Sequence, residues 1–152
     1  MLESVINEKD FALLMQKNIQ NLIIHFFEKE QNFGILCKIE DITFEPKLPE
    51  SINKEFRPLT LFFLAGYTFE TAKIMDDCLV FEAGFGQDNF GSEVTVPLLS
   101  IMQVIIDETP VLINLSSYEK KIEKPVKEDV GGMKNSMASF LSNPENSKFL
   151  KK

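Results

Sequence analysis

Tryptophan is absent from this 152-residue chain, histidine occurs once and cysteine twice. Each scarcity removes a class of chemistry. A nucleophile triad needs a histidine within reach of its serine or cysteine, and the one histidine, His25, sits between Ile24 and Phe26 in an apolar helical stretch, where it reads as a boundary residue. Cys37 and Cys78 fall on separate predicted strands without metal-type spacing, so they read as small strand or core residues of a chain kept in a reducing cytoplasm. No phosphate-cradling G-x-x-x-x-G-K, no dinucleotide G-x-G-x-x-G after a strand and no H-E-x-x-H occurs. Asp76, Asp77 and Asp88 lie in predicted turns, where aspartate serves the backbone. The expectation is a protein that is not an enzyme and takes no cofactor and no metal.

Cationic surface is also scarce. Sixteen basic residues against 23 acidic ones leave a net charge of −7, which repels phosphate backbones and argues against nucleic acid. No apolar run approaches the ~20 residues that cross a bilayer, and the opening MLESVINEKD carries acids where a secretory leader carries bases. The chain is expected to stay in the cytoplasm.

What the sequence has in quantity is phenylalanine, 14 in all, enough for an aromatic core in one domain. Residues 1 to 10 read as frayed. Asp10 is positioned to cap a helix over Phe11–Glu30, which lacks glycine and proline and repeats apolar residues at Ala12, Met15, Ile19, Leu22 and Phe26, with Ile23, Ile24 and Phe27 broadening the stripe. Gly34 is the expected breaker. Ile35, Cys37 and Ile39 then alternate as a strand that continues through Ile42–Glu45, and Pro46 and Pro49 close it. Glu50–Arg57 is charged and suits one helical turn. Leu59–Ala65 is apolar on both faces, which predicts a central or doubly covered strand.

The most ordered pattern lies between Cys78 and Val96. Leu79, Phe81, Ala83 and Phe85 recur at period two, a glycine-punctuated loop runs from Gly86 to Ser92 with Phe90 at an apolar tip, and Val94 and Val96 resume the alternation before Pro97. Leu98–Ile106 is ambiguous between helix and strand, and Val111–Leu115 reads as a last strand. Up-and-down strands with short connections and one long helix predict an α+β fold, the helix packed on a small curled antiparallel sheet or partly open barrel. After Tyr118 the composition turns polar, so residues 1–118 read as the folded domain and 119–152 as a flexible tail. That tail ends in Lys148, Phe149, Leu150, Lys151 and Lys152.

The run of Phe81, Ala83, Phe85 and Gly86, followed by Val94, Thr95, Val96, Pro97 and Leu98, resembles the signature of the SspB family, adaptors that hand ssrA-tagged proteins to the ClpXP protease. Ile52–Leu64 is similar as well, and the likeness spans roughly residues 12 to 115. The loop after Gly86 is longer than the family's and lacks a second glycine directly after it. The resemblance implies a helix at Leu98–Ile106 and a peptide cleft lined by Phe63, Ala65, Tyr67, Ala83, Gly84, Phe85 and Gly86, small residues admitting a backbone and aromatics clasping side chains. It further implies a homodimer joined along the long helix through Met15, Ile19, Leu22, Ile23 and Phe26, and a tail whose Lys148–Lys152 docks on the amino-terminal domain of ClpX. Composition alone leaves a rival open, a small acidic homodimeric secretion-type chaperone that binds apolar segments of a client and has no need of its carboxy terminus.

Overall fold

The computed structural model describes residues 1–117. The tail and its Lys148–Lys152 motif lie outside the described residues. The amino-terminal residues are not frayed: Leu2–Ile6 forms a short helix, α1, where Ser4 donates to the Met1 carbonyl and Asn7 to that of Glu3. The long helix α2 spans Lys9–Lys29. It starts ahead of the expected Asp10 cap, because Glu8 takes the extended cap conformation and Asp10 falls in the first turn, where a negative charge favours the helix dipole. The helix also stops without help from Gly34. Glu30 turns left-handed (φ 53°), and the N–H groups of Glu30 and Gln31 return to the carbonyls of Phe27 and Phe26, closing the end by backbone alone. Gly34 instead lies within a strand, where an added Cβ would meet the Leu61 and Phe63 side chains at 3.4 Å.

Two antiparallel four-stranded sheets follow. The first contains β1 (Phe33–Lys38), β3 (Leu59–Leu64), β7 (Ile101–Ile106) and β8 (Thr109–Ile113), in the order β3-β1-β7-β8. The second contains β2 (Thr43–Glu45), β4 (Lys73–Met75), β5 (Cys78–Phe85) and β6 (Phe90–Pro97), in the order β2-β6-β5-β4. Helical turns α3 (Glu50–Asn53) and α4 (Tyr67–Glu70) sit in the connections before β3 and β4. The α+β class with a long helix and antiparallel strands is as the sequence predicts, but the strands form two sheets where one small curled sheet or partly open barrel is expected.

The core is a single cluster fed by both sheets and α2. Ile19, Ile23 and Phe26 of the helix pack with Phe33, Ile35, Cys37, Phe62 and Leu64 of the first sheet and Leu79, Phe81, Val94 and Val96 of the second. Aromatic rings carry much of it. Phe62 meets Phe81 edge-on at 5.8 Å and Phe26 meets Phe33 at 5.4 Å. Each such side chain withdrawn from water contributes about 1.5–3 kcal/mol before ordering costs.

Four expectations are corrected. The strand through Ile35 and Cys37 does not continue through Ile42–Glu45: Ile39–Asp41 makes a 3-10 turn and Thr43–Glu45 joins the second sheet as β2. Leu98–Ile106 is not a helix: Leu98–Ser100 makes one 3-10 turn and Ile101–Ile106 extends as β7 between β1 and β8, consistent with the β-branched run Val104-Ile105-Ile106. The apolar strand β3 is neither central nor doubly covered but an edge, burying Phe62 and Leu64 while Leu59, Leu61 and Phe63 remain exposed. Phe90 is not an exposed loop tip; it is half-buried in β6 opposite Phe85.

The helix also offers less to a second copy than the stripe implies. Ile19 and Ile23 are fully buried in the protomer and Phe26 nearly so, while Leu22 packs partly against the same core. Of the five expected dimer residues, Met15 is half-buried outside that cluster, and the helix's exposed apolar residues are Leu13, Leu14 and Ile24. Ile19→Ala should therefore cost about 2–5 kcal/mol in urea denaturation through lost burial and a cavity. Leu14→Ala, at an exposed site, should change stability by less than about 0.5 kcal/mol.

Candidate functional site

The hairpin β5–β6 builds the floor of the site. Its register pairs every residue from Cys78 opposite Pro97 to Phe85 opposite Phe90. Period-two alternation then sends Leu79 and Phe81 into the core and leaves Glu82 and Gly84 outward, facing Glu93 and Gly91 across the ladder. The loop Gly86–Asn89 closes the hairpin, with left-handed φ at Gly86 (74°) and Asn89 (52°) and the Asn89 N–H bonded to the Gly86 carbonyl. Asparagine tolerates that conformation better than most side chains.

Its side chain folds back over Gly84. A Cβ built on Gly84 would stand 1.8 Å from Asn89 Oδ1, so the amide occupies the space that a larger residue at position 84 would fill. Asn89 thereby supplies the polar group that a glycine cannot. Gly91, opposite, has open space where its Cβ would be.

The other wall comes from the turn after β3. Gly66 takes a left-handed φ of 63° to enter α4, and Thr68 Oγ1 accepts the Ala65 N–H while donating to the Phe63 carbonyl, fixing the turn on the strand end. Thr71 Oγ1 donates to the Tyr67 carbonyl and accepts the Glu82 N–H, tying α4 to β5. The Tyr67 hydroxyl donates to Glu82 Oε1. This hydrogen bond, then the carboxylate's charge, holds the Tyr67 phenol above its ordinary value of 10.0. Ser92 Oγ donates to the Pro46 carbonyl and so joins β6 to the segment after β2.

Between these walls lies an open cleft of about 750 Å³, within the size range of ligand sites. It brings together four of the seven cleft residues expected from the sequence: Ala65, Tyr67, Ala83 and Gly84. The others go elsewhere. Phe85 packs against Phe44 and Phe56 at ring distances of 5.6 and 6.0 Å. Gly86 makes the hairpin turn over Ile52, and Phe63 is exposed on β3 beside Gly34. Sequence reasoning missed Glu45, Thr68, Glu82, Asn89, Gly91, Ser92 and Glu93, all of which line the cleft. A four-residue loop centred between Asp88 and Gln87 would have given the pairings of Glu82 and Gly84.

Thiol chemistry has no foothold here. Burial pushes the Cys37 thiol up to about 12, and burial followed by the charges of Asp77 and Asp76 raises that of Cys78, so neither forms the reactive thiolate readily near neutrality. Asp76 and Asp77 both take positive φ in the turn between β4 and β5, the backbone role the sequence predicts. His25 is exposed on α2 beside Phe26.

No family model, curated protein or solved structure matches the chain.

The hydrogen bond between Tyr67 and Glu82 has a titration signature. Because the bond favours the neutral phenol, its contribution is present below pH 10.0 and lost as pH rises further. Ultraviolet titration of tyrosinate should place one of the chain's two tyrosines above the ordinary value, and Glu82→Gln should move that one down. An unmoved curve in Glu82→Gln would mean that the bond does not form in solution.

Proposed function

We propose that the chain is a proteolysis adaptor, which binds degradation-tagged peptides of the ssrA type in the cleft and delivers them to the ClpXP protease through its carboxy-terminal tail. The observation that carries this reading is the open cleft, whose floor is bare at Gly91 and covered by the Asn89 amide at Gly84, and whose wall presents Tyr67. The open position at Gly91 lets an extended backbone approach closely, and the Asn89 amide and Tyr67 beside it then bind that backbone and its side chains. The likeness of Phe81–Gly86 and Val94–Leu98 to the SspB signature points the same way, and adaptor work requires no catalytic group in this chain. The Lys148–Lys152 motif is assigned the docking role on the ClpX amino-terminal domain, and a homodimer would present two such tails at effective concentrations of about millimolar. Captured cargo is then held near the motor's pore.

A second reading has its own observation. Leu59, Leu61 and Phe63 of β3 and Val111 and Ile113 of β8 are exposed apolar residues on the two edge strands of the first sheet. Exposed apolar surface of this kind fits a chaperone that holds apolar client segments. Deleting residues 145–152 separates the two readings. An adaptor keeps its peptide affinity and loses stimulation of ClpXP degradation, whereas a chaperone is unchanged in both assays.

The cleft makes a more local prediction. Gly84→Ala displaces the Asn89 side chain and should weaken ssrA-type peptide binding about tenfold or more in fluorescence anisotropy, with folding by circular dichroism retained. Unchanged affinity would mean that the peptide does not touch the Asn89 amide over Gly84.

A further inference from the structure

In the first sheet Ile35, Phe62, Leu64 and Val104 point into the core, so their neighbours along each strand point the other way. Strand pairing sets those neighbours in rows. One row is Leu61, Leu36, Gln103 and Ile113, and the next is Phe63, Gly34, Ile105 and Pro110. Leu61 and Phe63 lean over Gly34, and Val111 occupies the register shift beside Pro110. Leu59, Leu61, Phe63, Val111 and Ile113 are 43–64% exposed. Side chains of that size and exposure amount to about 500 Å² of apolar surface, toward the upper end of what a monomer ordinarily shows. One partner's share of a standard interface is about 800 Å², of which about 65% is apolar in homodimers. The face is therefore the size that a stable dimer needs.

Charge marks the same face. The four strands of this sheet carry no aspartate or glutamate, and Lys38 is their single charged residue, in a chain with 23 acidic residues and a net charge of −7. The second sheet exposes Glu45, Glu82 and Glu93. Two copies thus repel over most of their surface and least across the first sheet. An extended peptide asks for a groove, and no residue of these rows lines the cleft or the second cavity beside Phe27 and Phe69. A sheet face is matched by another sheet face, stacked about 10 Å away with interdigitated side chains. Gln103, amid the apolar rows, carries an amide that both donates and accepts, so across a twofold axis it can satisfy its own copy.

We propose that the outward face of the first sheet is a dimer interface, on which a second copy of this chain stacks its own β3-β1-β7-β8 face in an isologous pair. The copies meet on Leu61, Phe63 and Ile113 and not along α2, whose Ile19 and Ile23 lie inside the protomer. Because the cleft draws no residue from these rows, both copies keep theirs open, and the pairing stands whether or not a peptide is the ligand.

Sedimentation equilibrium of the full chain tests this, at about 1–100 μM protein and at about 0.05 and 0.5 M salt. The expected result is a reversible species of twice the chain mass, held as firmly or more firmly at the higher salt, which screens the repulsion between acidic copies. Phe63→Lys and Ile113→Lys, both at exposed sites, should each weaken association about tenfold or more. Leu14→Lys, at an exposed site on α2, should leave it unchanged. A monomer throughout that range would overturn the proposal, as would a dimer kept in both face variants. A monomer that protects an unfolded test protein from aggregation, and loses that protection in Phe63→Lys, would overturn it too and give the face to client segments. Should Phe63→Lys fail to fold by circular dichroism, Ile113→Lys on the opposite edge strand reads the same equilibrium.

Discussion

The register of the β5–β6 hairpin is the constraint on which both the core and the cleft depend. Side chains alternate faces along a strand, so a slip of one residue would carry Leu79 and Phe81 out of the core and bring Glu82 and Gly84 into it. Burial of Leu79, Phe81, Val94 and Val96 therefore fixes the outward set as well. The same hydrophobic choice that holds the sheets together lays Gly84 beside Gly91 and Glu82 beside Glu93. The cleft is the reverse side of the core pattern.

Around that hairpin the remaining elements hold position. The helix α2 commits Ile19, Ile23 and Phe26 to the interior, and the aromatic contacts among Phe44, Phe56, Phe62, Phe81 and Phe85 join the two sheets. Hydrogen bonds from Thr68 and Thr71 then fasten the Tyr67 wall to β3 and β5. Cleft geometry and fold stability are thus coupled at few points.

The parts of the fold legible in the sequence were those with a strong period. The long helix, the alternation of Ile35 with Cys37 and the strand from Leu79 to Phe85 all follow from which residues must leave water. Legibility ended where burial and partner diverge. Leu59–Leu64 is apolar on both faces, yet periodicity cannot say whether anything covers the outer one, and the strand lies at an edge with Phe63 exposed. At Leu98–Ile106 the family likeness pointed to a helix while the β-branched residues pointed to the strand that forms. Of the cleft, Ala65, Tyr67, Ala83 and Gly84 were legible as small or aromatic residues at strand ends. Asn89 and the three glutamates were not, because their places come from cross-strand pairing, which a loop read as ending at Ser92 instead of Asn89 conceals.

The central claim is that an extended peptide lies over the hairpin at Gly91 and the Asn89 amide. Amide chemical-shift mapping by nuclear magnetic resonance, with an extended ssrA-type peptide added to the full chain, tests it most directly. The account predicts the largest shifts at Tyr67, Gly84, Asn89, Gly91 and Glu93, with those of Leu61, Phe63 and Ile113 small. Shifts concentrated on the exposed residues of β3 and β8, with Gly84 and Gly91 unmoved, would contradict it.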